Sequence, residues 1–450
     1  MKPPAKLIIK KYLPWFIFAV ALFLIHWRYE LNSDEGVVLN AAWDIIQGKK
    51  MYFDTFEFMA PGAAYLIAGL WKLVGASYTS ARILSLVILY SGVIGLYVIS
   101  RELGIKRWRY FASMLFIVGS AFWQPIHYNA FNTVATIWAL YFIIRAFQKN
   151  IFYFWLLSGF CSGLALIFLQ HKGLALLGIL GSIILVLSVS KKIPWRSLLY
   201  FSIAASLPVI VCLLYWPPHL LWNDTVLFPL NHYEEVNTVP LFLWSGCLAS
   251  VLLLSAIVVY SAKNETKIIL TTLLLTGIFQ LLASLPRADA THVLQALTAF
   301  LPIVALLFEQ CLTKIQDFQI TASSWSLGVL LLILNNPPFV PSASLVLKAL
   351  HTYCPEITSI YAGPFMPGLY FETRAHNPTP YSFLITRHNT EAQFTNAAIL
   401  LAKNPPRCAV VNYAVVNKFA YNKNNPVDEF INSHYSFAGE FRNIKILVRN

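Results

Sequence analysis

Two acids stand side by side at Asp34-Glu35, a few residues beyond the first long apolar run of the chain. A carboxylate just outside a membrane can take a proton from an attacking hydroxyl as a general base, or help to bind a divalent metal cation. The same residues also suit a plain helix start, with Ser33 as N-cap and two acids in the first turn, where the helix dipole favours negative charge. Other chemistries are poorly provided for. No CxxC or HExxH motif occurs, so neither a structural zinc site nor a zincin site has support, and six cysteines in 450 residues are too few for a disulfide framework.

Composition decides what must hold the acidic pair. Hydrophobic residues make up 58% of the chain and charged residues 12%, which is about half the charge of an ordinary soluble protein. Much of the surface must face something other than water. That excludes a single water-soluble enzyme, a disordered chain and a fibrous repeat. The net charge of +13 would suit nucleic acid, but the Lys and Arg residues are scattered at the ends of apolar runs. Membrane topology explains them better, and the partner expected is membrane lipid, with no nucleic acid.

Apolar runs of spanning or near-spanning length fall at about 13–27, 83–100, 110–123, 130–144, 151–169, 173–189, 198–216, 241–260, 268–285, 293–308 and 323–334. The third, fourth and last are short. The first reads as a retained anchor, because Trp27-Arg28-Tyr29-Glu30 follows it in place of a small-x-small cleavage site. Residues 61–75 open with Pro-Gly and contain Lys72, which reads as an interfacial helix. With the N-terminus in the cytoplasm, sixteen Lys and Arg fall on the cytoplasmic side and seven in the opposite loops, the C-terminal tail aside. The positive-inside rule therefore sets the N-terminus in, and an odd number of spans puts the C-terminus out.

Two outside loops are long. The first, 28–81, holds six of the 20 acids, among them Asp34, Glu35 and Asp54. Within it Val37, Val38, Ala41, Ala42, Ile45 and Ile46 recur at helical spacing, so the sequence predicts a short amphipathic helix lying on the membrane surface and ended by Gly48. The second, 217–240, is rich in Trp, Pro and His, as suits the headgroup level. From 341 to 450 the composition is that of one small soluble domain, with strands at 357–361, 408–411 and 444–448. A helix at 391–403 turns Ala397, Ala398, Leu400 and Leu401 inward. Cys354 and Cys408 each lie at or near a strand, and a disulfide or two buried thiols both fit. No repeat of 20 to 50 residues is visible, which weighs weakly against a transporter.

The ordered set Ser33-Asp34-Glu35-Gly36, a helix ending at Gly48, Tyr52-x-Asp54, Pro61-Gly62 with Tyr65, and Ala81-Arg82 opening the second span resembles the first external loop of glycosyltransferase-C enzymes. The branch it resembles is that of the protein O-mannosyltransferases, the lipid A aminoarabinose transferase and the bacterial RgtA/B/C/D-like proteins. Gln170-His171-Lys172-Gly173, Arg287-x-Asp289-x-x-His292, and in the tail Gly363-Pro364-Phe365-Met366-Pro367-Gly368 and Asn377-Pro378-Thr379 agree with it. The expected architecture is an α-helical polytopic membrane protein of about 11 transmembrane helices, divided into a transmembrane catalytic domain at 1–340 with external loop 28–81 and a small extracytoplasmic α/β domain at 341–450. The site is expected in a bacterial plasma membrane.

The resemblance implies transfer of a sugar, with inversion, from a polyprenyl-phosphate donor to the hydroxyl of a glycan, lipid or protein acceptor. Asp34 would then act as base, with Glu35 positioning Asp34 or a cation. Lys172, Arg82 and Arg287 would neutralise the leaving phosphate; topological or snorkelling charge at a helix end is their other reading. His171, Asp289 and His292 would contact substrate, although each histidine also reads as structural, and Asp54 would hold a metal or the acceptor, or form a turn. A transporter or flippase of lipid-linked sugars, with Arg287 and Asp289 as a gating pair, is the alternative from a different class. Against it, the spans carry almost no ionisable residues at mid-depth. A surface polysaccharide ligase or polymerase is a third reading, and the acidic loop suits it less.

Overall fold

In the computed structural model, which describes residues 5–26, 33–232, 241–285, 289–311, 342–441 and 443–450, each apolar run within those residues is helical. The helices are α1 (Ala5–Ile25), α2 (Asp34–Ile46), α3 (Gly62–Val74), α4 (Tyr78–Glu102), α5 (Phe111–Ser120), α6 (Tyr128–Lys149), α7 (Phe152–Phe168) and α8 (Gln170–Val189). They continue with α9 (Arg196–Tyr215), α10 (Pro218–Trp222), α11 (Phe228–His232), α12 (Leu241–Ser261), α13 (Asn264–Leu282), α14 (Ala290–Ala296) and α15 (Leu301–Cys311). Among the described residues, five segments are long and apolar enough to cross a membrane: Tyr78–Glu102, Tyr128–Lys149, Gln170–Val189, Arg196–Tyr215 and Thr291–Cys311. Other expected spans, α5 and α7 among them, are apolar but shorter, and the run at 323–334 lies outside the described residues. The chain is an integral membrane protein by this helix content.

Packing divides the chain into two units. One comprises Met1–Trp27, Ile83–Tyr215 and Thr238–Pro337, the other Arg28–Arg82, Trp216–Asn237 and Pro338–Asn450. In the first unit, helices approach closely at several glycines. A Cβ placed on Gly159 of α7 would lie 2.1 Å from the carbonyl oxygen of Phe201 in α9, and one on Gly163 would lie 2.3 Å from that of Ala205. In lipid there is no hydrophobic drive between helices, so such small-residue contacts, which let backbones touch, carry the association. Ser158 adds a hydrogen bond from its hydroxyl to the carbonyl of Ala139 in α6, at 3.0 Å. Gly159→Ala is therefore expected to lower stability by about 1–3 kcal/mol through overpacking. Gly178→Ala in α8, where a Cβ meets nothing within 4 Å, should hold or gain stability. Thermal unfolding of the two variants side by side in detergent checks the pair.

The second unit holds a four-stranded sheet in the order β1-β2-β4-β3. After α16 (Ser342–Tyr353) come β1 (Ile360–Gly363), α17 (Gly368–Thr373), α18 (Glu391–Lys403), β2 (Cys408–Val411), α19 (Pro426–His434), β3 (Tyr435–Phe441) and β4 (Ile444–Arg449). β1 and β2 are parallel, with Ile360 opposite Cys408. β4 runs antiparallel to both β2 and β3. Phe394, Ala397 and Leu401 of α18 meet Val427 and Ile431 of α19 in the core over this sheet, while Ala398 and Leu400 are only half-buried. Thr390 and Gln393 close a reciprocal capping box at the start of α18. Cys354 and Cys408, 54 residues apart, are joined in a disulfide, so the alternative of two buried thiols falls away. Closing a loop of that length removes about 4 kcal/mol of unfolded-chain entropy in the chain-entropy treatment.

The loop 33–82 is built into this second unit. α2 packs on α3 and on α17, and Val37 to Ala42 are all buried, as are Asp44 and Ile45. The helix is thus enclosed on nearly every side, where the sequence predicted one buried stripe and one open face. Gly48, at φ +92°, ends the turn after it as expected, in a conformation that glycine adopts without steric cost.

Candidate functional site

The acidic pair sits where α2 begins. Ser33 has the extended N-cap backbone, but its side chain makes no capping hydrogen bond, so Asp34 and Glu35 supply the negative charge that a helix start favours. Successive helical residues point about 100° apart, and the two acids differ accordingly. Asp34 is half-buried, whereas Glu35 is 2% exposed. Glu35 Oε2 accepts a hydrogen bond from Arg82 Nη2 at 2.7 Å, and both side chains are 3% exposed. Arg82 Nη2 also donates to the Tyr78 hydroxyl, and the guanidinium lies 4.8 Å from the centre of that ring. The structure therefore pairs Glu35 with Arg82, where the sequence reading had assigned Glu35 to Asp34 or a cation and Arg82 to the donor phosphate. The physical reason is burial: a guanidinium taken out of water needs a hydrogen-bonded counter-charge.

Asp54 is exposed and accepts the backbone N–H of Lys50 at 2.8 Å across a tight turn. Its geometry is that of the turn former, and the metal or acceptor role expected of it has no support from its contacts. Sequence reasoning missed Glu57, which is 5% exposed and whose Oε1 accepts the N–H groups of Phe58 and Met59. It also missed Asp44, paired with Lys49 at 2.7 Å. Burial pushes the Asp44 carboxyl above its ordinary value, against the pull of Lys49. The loop is further pinned by Trp216, whose indole N–H donates to the Met51 carbonyl at 3.0 Å. Among the described residues no three His, Cys, Asp or Glu gather as a metal set. A divalent cation at Asp34 and Glu35 would have to share Glu35 with Arg82.

The second group of expected residues lies in the other unit. Lys172 is the third residue of α8 and is 1% exposed. It is buried because α8 folds straight back on α7. A Cβ on Gly173 would meet the Leu166 Cα at 2.1 Å, so only glycine allows the turn to close so tightly. Asn132 of α6 donates to the Ala165 carbonyl at 2.8 Å, and Gln280 of α13 donates to the Lys172 carbonyl at 3.0 Å. Both bonds hold the turn in place. Lys172 thus stands in the first turn of α8, beside the α7–α8 reversal and inside the helix packing. His171, its neighbour, is exposed.

Asp289 and His292 come together as a cap on α14. Asp289 accepts the backbone N–H of His292 at 3.0 Å and lies 2.6 Å from its Nδ1. His292 Nε2 lies 3.5 Å from Asn129 Nδ2 on α6. Arg287 lies outside the described residues.

The family model described as dolichyl-phosphate-mannose-protein mannosyltransferase matches residues 59–216. Among curated proteins no sequence matches the chain. Solved structures do. ArnT from Cupriavidus metallidurans, bound to undecaprenyl phosphate, is 12% identical, with a TM-score of 0.59 over 98% of this chain and 97% of its own. The oligosaccharyltransferase AglB from Archaeoglobus fulgidus, in complex with an inhibitory peptide and a dolichol-phosphate, is 11% identical, with a TM-score of 0.57 over 98% of this chain and 75% of its own. The arabinofuranosyltransferase AftD from mycobacteria is 13% identical, with a TM-score of 0.52 over 97% of this chain and 39% of its own.

Proposed function

We propose that this chain, which has the glycosyltransferase-C fold, moves a sugar from a polyprenyl-phosphate donor to an acceptor hydroxyl on the extracytoplasmic side of a bacterial plasma membrane. The observation that carries the reading is the first turn of α2. There Glu35 is locked to Arg82 in a buried ion pair, and this holds Asp34, its neighbour, at the half-buried edge of the helix. A base fixed by packing loses little entropy when it meets its substrate.

The reaction begins as Asp34 takes the proton of the acceptor hydroxyl. The hydroxyl oxygen attacks the anomeric carbon from the face opposite the phosphate, and the bond from that carbon to the phosphate oxygen breaks. The configuration inverts and polyprenyl phosphate leaves with the electron pair. Lys172, a point charge, and Arg287 are both assigned to the phosphate by the resemblance alone. Most of the rate comes from positioning and charge matching. The binding of undecaprenyl phosphate by ArnT and of dolichol-phosphate by AglB supports a lipid phosphate as the carrier. The Cys354–Cys408 disulfide supports an oxidising compartment for the C-terminal residues, in keeping with a cytoplasmic N-terminus and an extracytoplasmic tail. The acceptor is a glycan, lipid or protein hydroxyl.

Undecaprenyl phosphate, the leaving group itself, tests the phosphate assignment. Lys172→Met is expected to weaken its binding to the purified protein by about ten- to 150-fold, the equivalent of a charged hydrogen bond of about 1.5–3 kcal/mol. Unchanged binding with native thermal stability would reduce Lys172 to a packing residue. A transporter is told apart in the same preparation, since it would move the lipid-linked sugar intact and release no polyprenyl phosphate.

A further inference from the structure

A line of polar side chains runs between α6 and α14, which pack on one another. α6 contributes Asn129, Thr133 and Thr136 at helical spacing, and α14 contributes His292 and Gln295 after its cap Asp289. One end of the line is the Asn129 to His292 approach already described. At the other end Thr133, Thr136, Lys172, Gln280, Gln295 and Thr298 share one small cavity. Four buried polar atoms there, Lys172 Nζ, Thr136 Oγ1 and both amide atoms of Gln295, have no hydrogen-bond partner among the described residues. Lys172 is 1%, Gln295 4% and Thr136 6% exposed. Leaving an ammonium and an amide dry is costly, and the cavity has room for about one water molecule, with enough polar partners to keep it.

The donor and acceptor count selects the occupant. A halide ion only accepts, so it would serve the Lys172, Thr136 and Gln295 N–H or O–H donors and leave Gln295 Oε1 unmet. A water accepts from Lys172 Nζ and donates to Gln295 Oε1, with Thr136 as a further partner. We infer that one structural water seated between Lys172 and Gln295 fixes the ammonium, and that Gln295 and Thr136 are positioning residues acting through Lys172. This rests on the reading of Lys172 as the phosphate-binding group. α14 then carries both the Asp289–His292 cap and the residue that orients the Lys172 side chain.

The test is a double-mutant cycle read by binding of undecaprenyl phosphate to the full-length protein in detergent. Gln295→Leu is expected to weaken binding by about five- to 30-fold, the size of a loss of one or two kcal/mol. On a Lys172→Met background the same substitution should add nothing, because the residue it acts through is gone. A purely structural effect of Gln295 would persist on that background, and would overturn the inference. So would native binding by Gln295→Leu while Lys172→Met binds weakly. If Gln295→Leu does not fold, Thr136→Val runs the same cycle with the same expected non-additivity. Native binding by Lys172→Met is a different failure. It removes the phosphate assignment and the inference that rests on it.

Discussion

Asp34→Asn is expected to lower sugar transfer by about 10² to 10⁴-fold, the usual contribution of a general base. Stability and binding of undecaprenyl phosphate should stay native. The substitution keeps the size of the side chain and most of its hydrogen bonding, and it leaves the first turn of α2 with Glu35 still paired to Arg82. Only the basic oxygen is lost. The measurement is release of polyprenyl phosphate from a donor that supports transfer by the native protein, with the thermal midpoint recorded on the same sample. Near-native turnover would remove Asp34 from the mechanism. A fall in turnover with an equal fall in thermal stability would make Asp34 a helix-start residue and nothing more.

Glu35→Gln acts on the fold first. It removes the carboxylate that meets a guanidinium only 3% exposed, and breaking a buried pair from one side costs about 3–5 kcal/mol. Arg82→Met should cost a similar amount by breaking the same pair from the other side. The double substitution Glu35→Leu/Arg82→Met removes both charges, and apolar replacements of similar volume often match or exceed a buried pair. Much of the lost stability should therefore return. Chemical or thermal unfolding of the three variants measures this. If either single variant is as stable as the native protein, the pair is not a structural clamp on α2. In whatever fraction stays folded, Glu35→Gln should cost less transfer than Asp34→Asn. The reverse order would exchange the two roles.

The helices were legible because long apolar runs have few other fates in lipid, and α2 was legible from its spacing and from Gly48. Strand β2 was legible as a short buried run, and β4 from its Ile, Leu and Val, although Lys445 is exposed and Leu447 and Val448 are only half-buried. β3 was not, since half of it faces out and its sequence Tyr-Ser-Phe-Ala-Gly-Glu-Phe alternates too weakly to separate it from the end of α19. The disulfide could not be decided from sequence, because whether Cys354 reaches Cys408 depends on which strands are neighbours. For the same reason the Glu35 to Arg82 pair was out of reach: its members are 47 residues apart and each carries a sufficient local explanation. The polar line between α6 and α14 did leave a trace in Asn129, Thr133 and Thr136. Such residues at three- and four-residue spacing in an apolar helix mark a face that cannot look at lipid.

The strand order has a bearing on how the chain is made. β4 is the latest of the four strands in the sequence, yet it lies inside the sheet, between β2 and β3. As the polypeptide emerges from the ribosome, β1 and β2 can pair, but β2 must then present a bare row of amides and carbonyls until residues 444–449 are delivered. Such an edge is adhesive toward any other nascent strand. Production of the protein is therefore most vulnerable near the close of this stretch of synthesis. A frameshift or early stop in those few codons would leave the sheet with an exposed interior edge and mark the product for aggregation or quality control, although every membrane helix upstream had already been made.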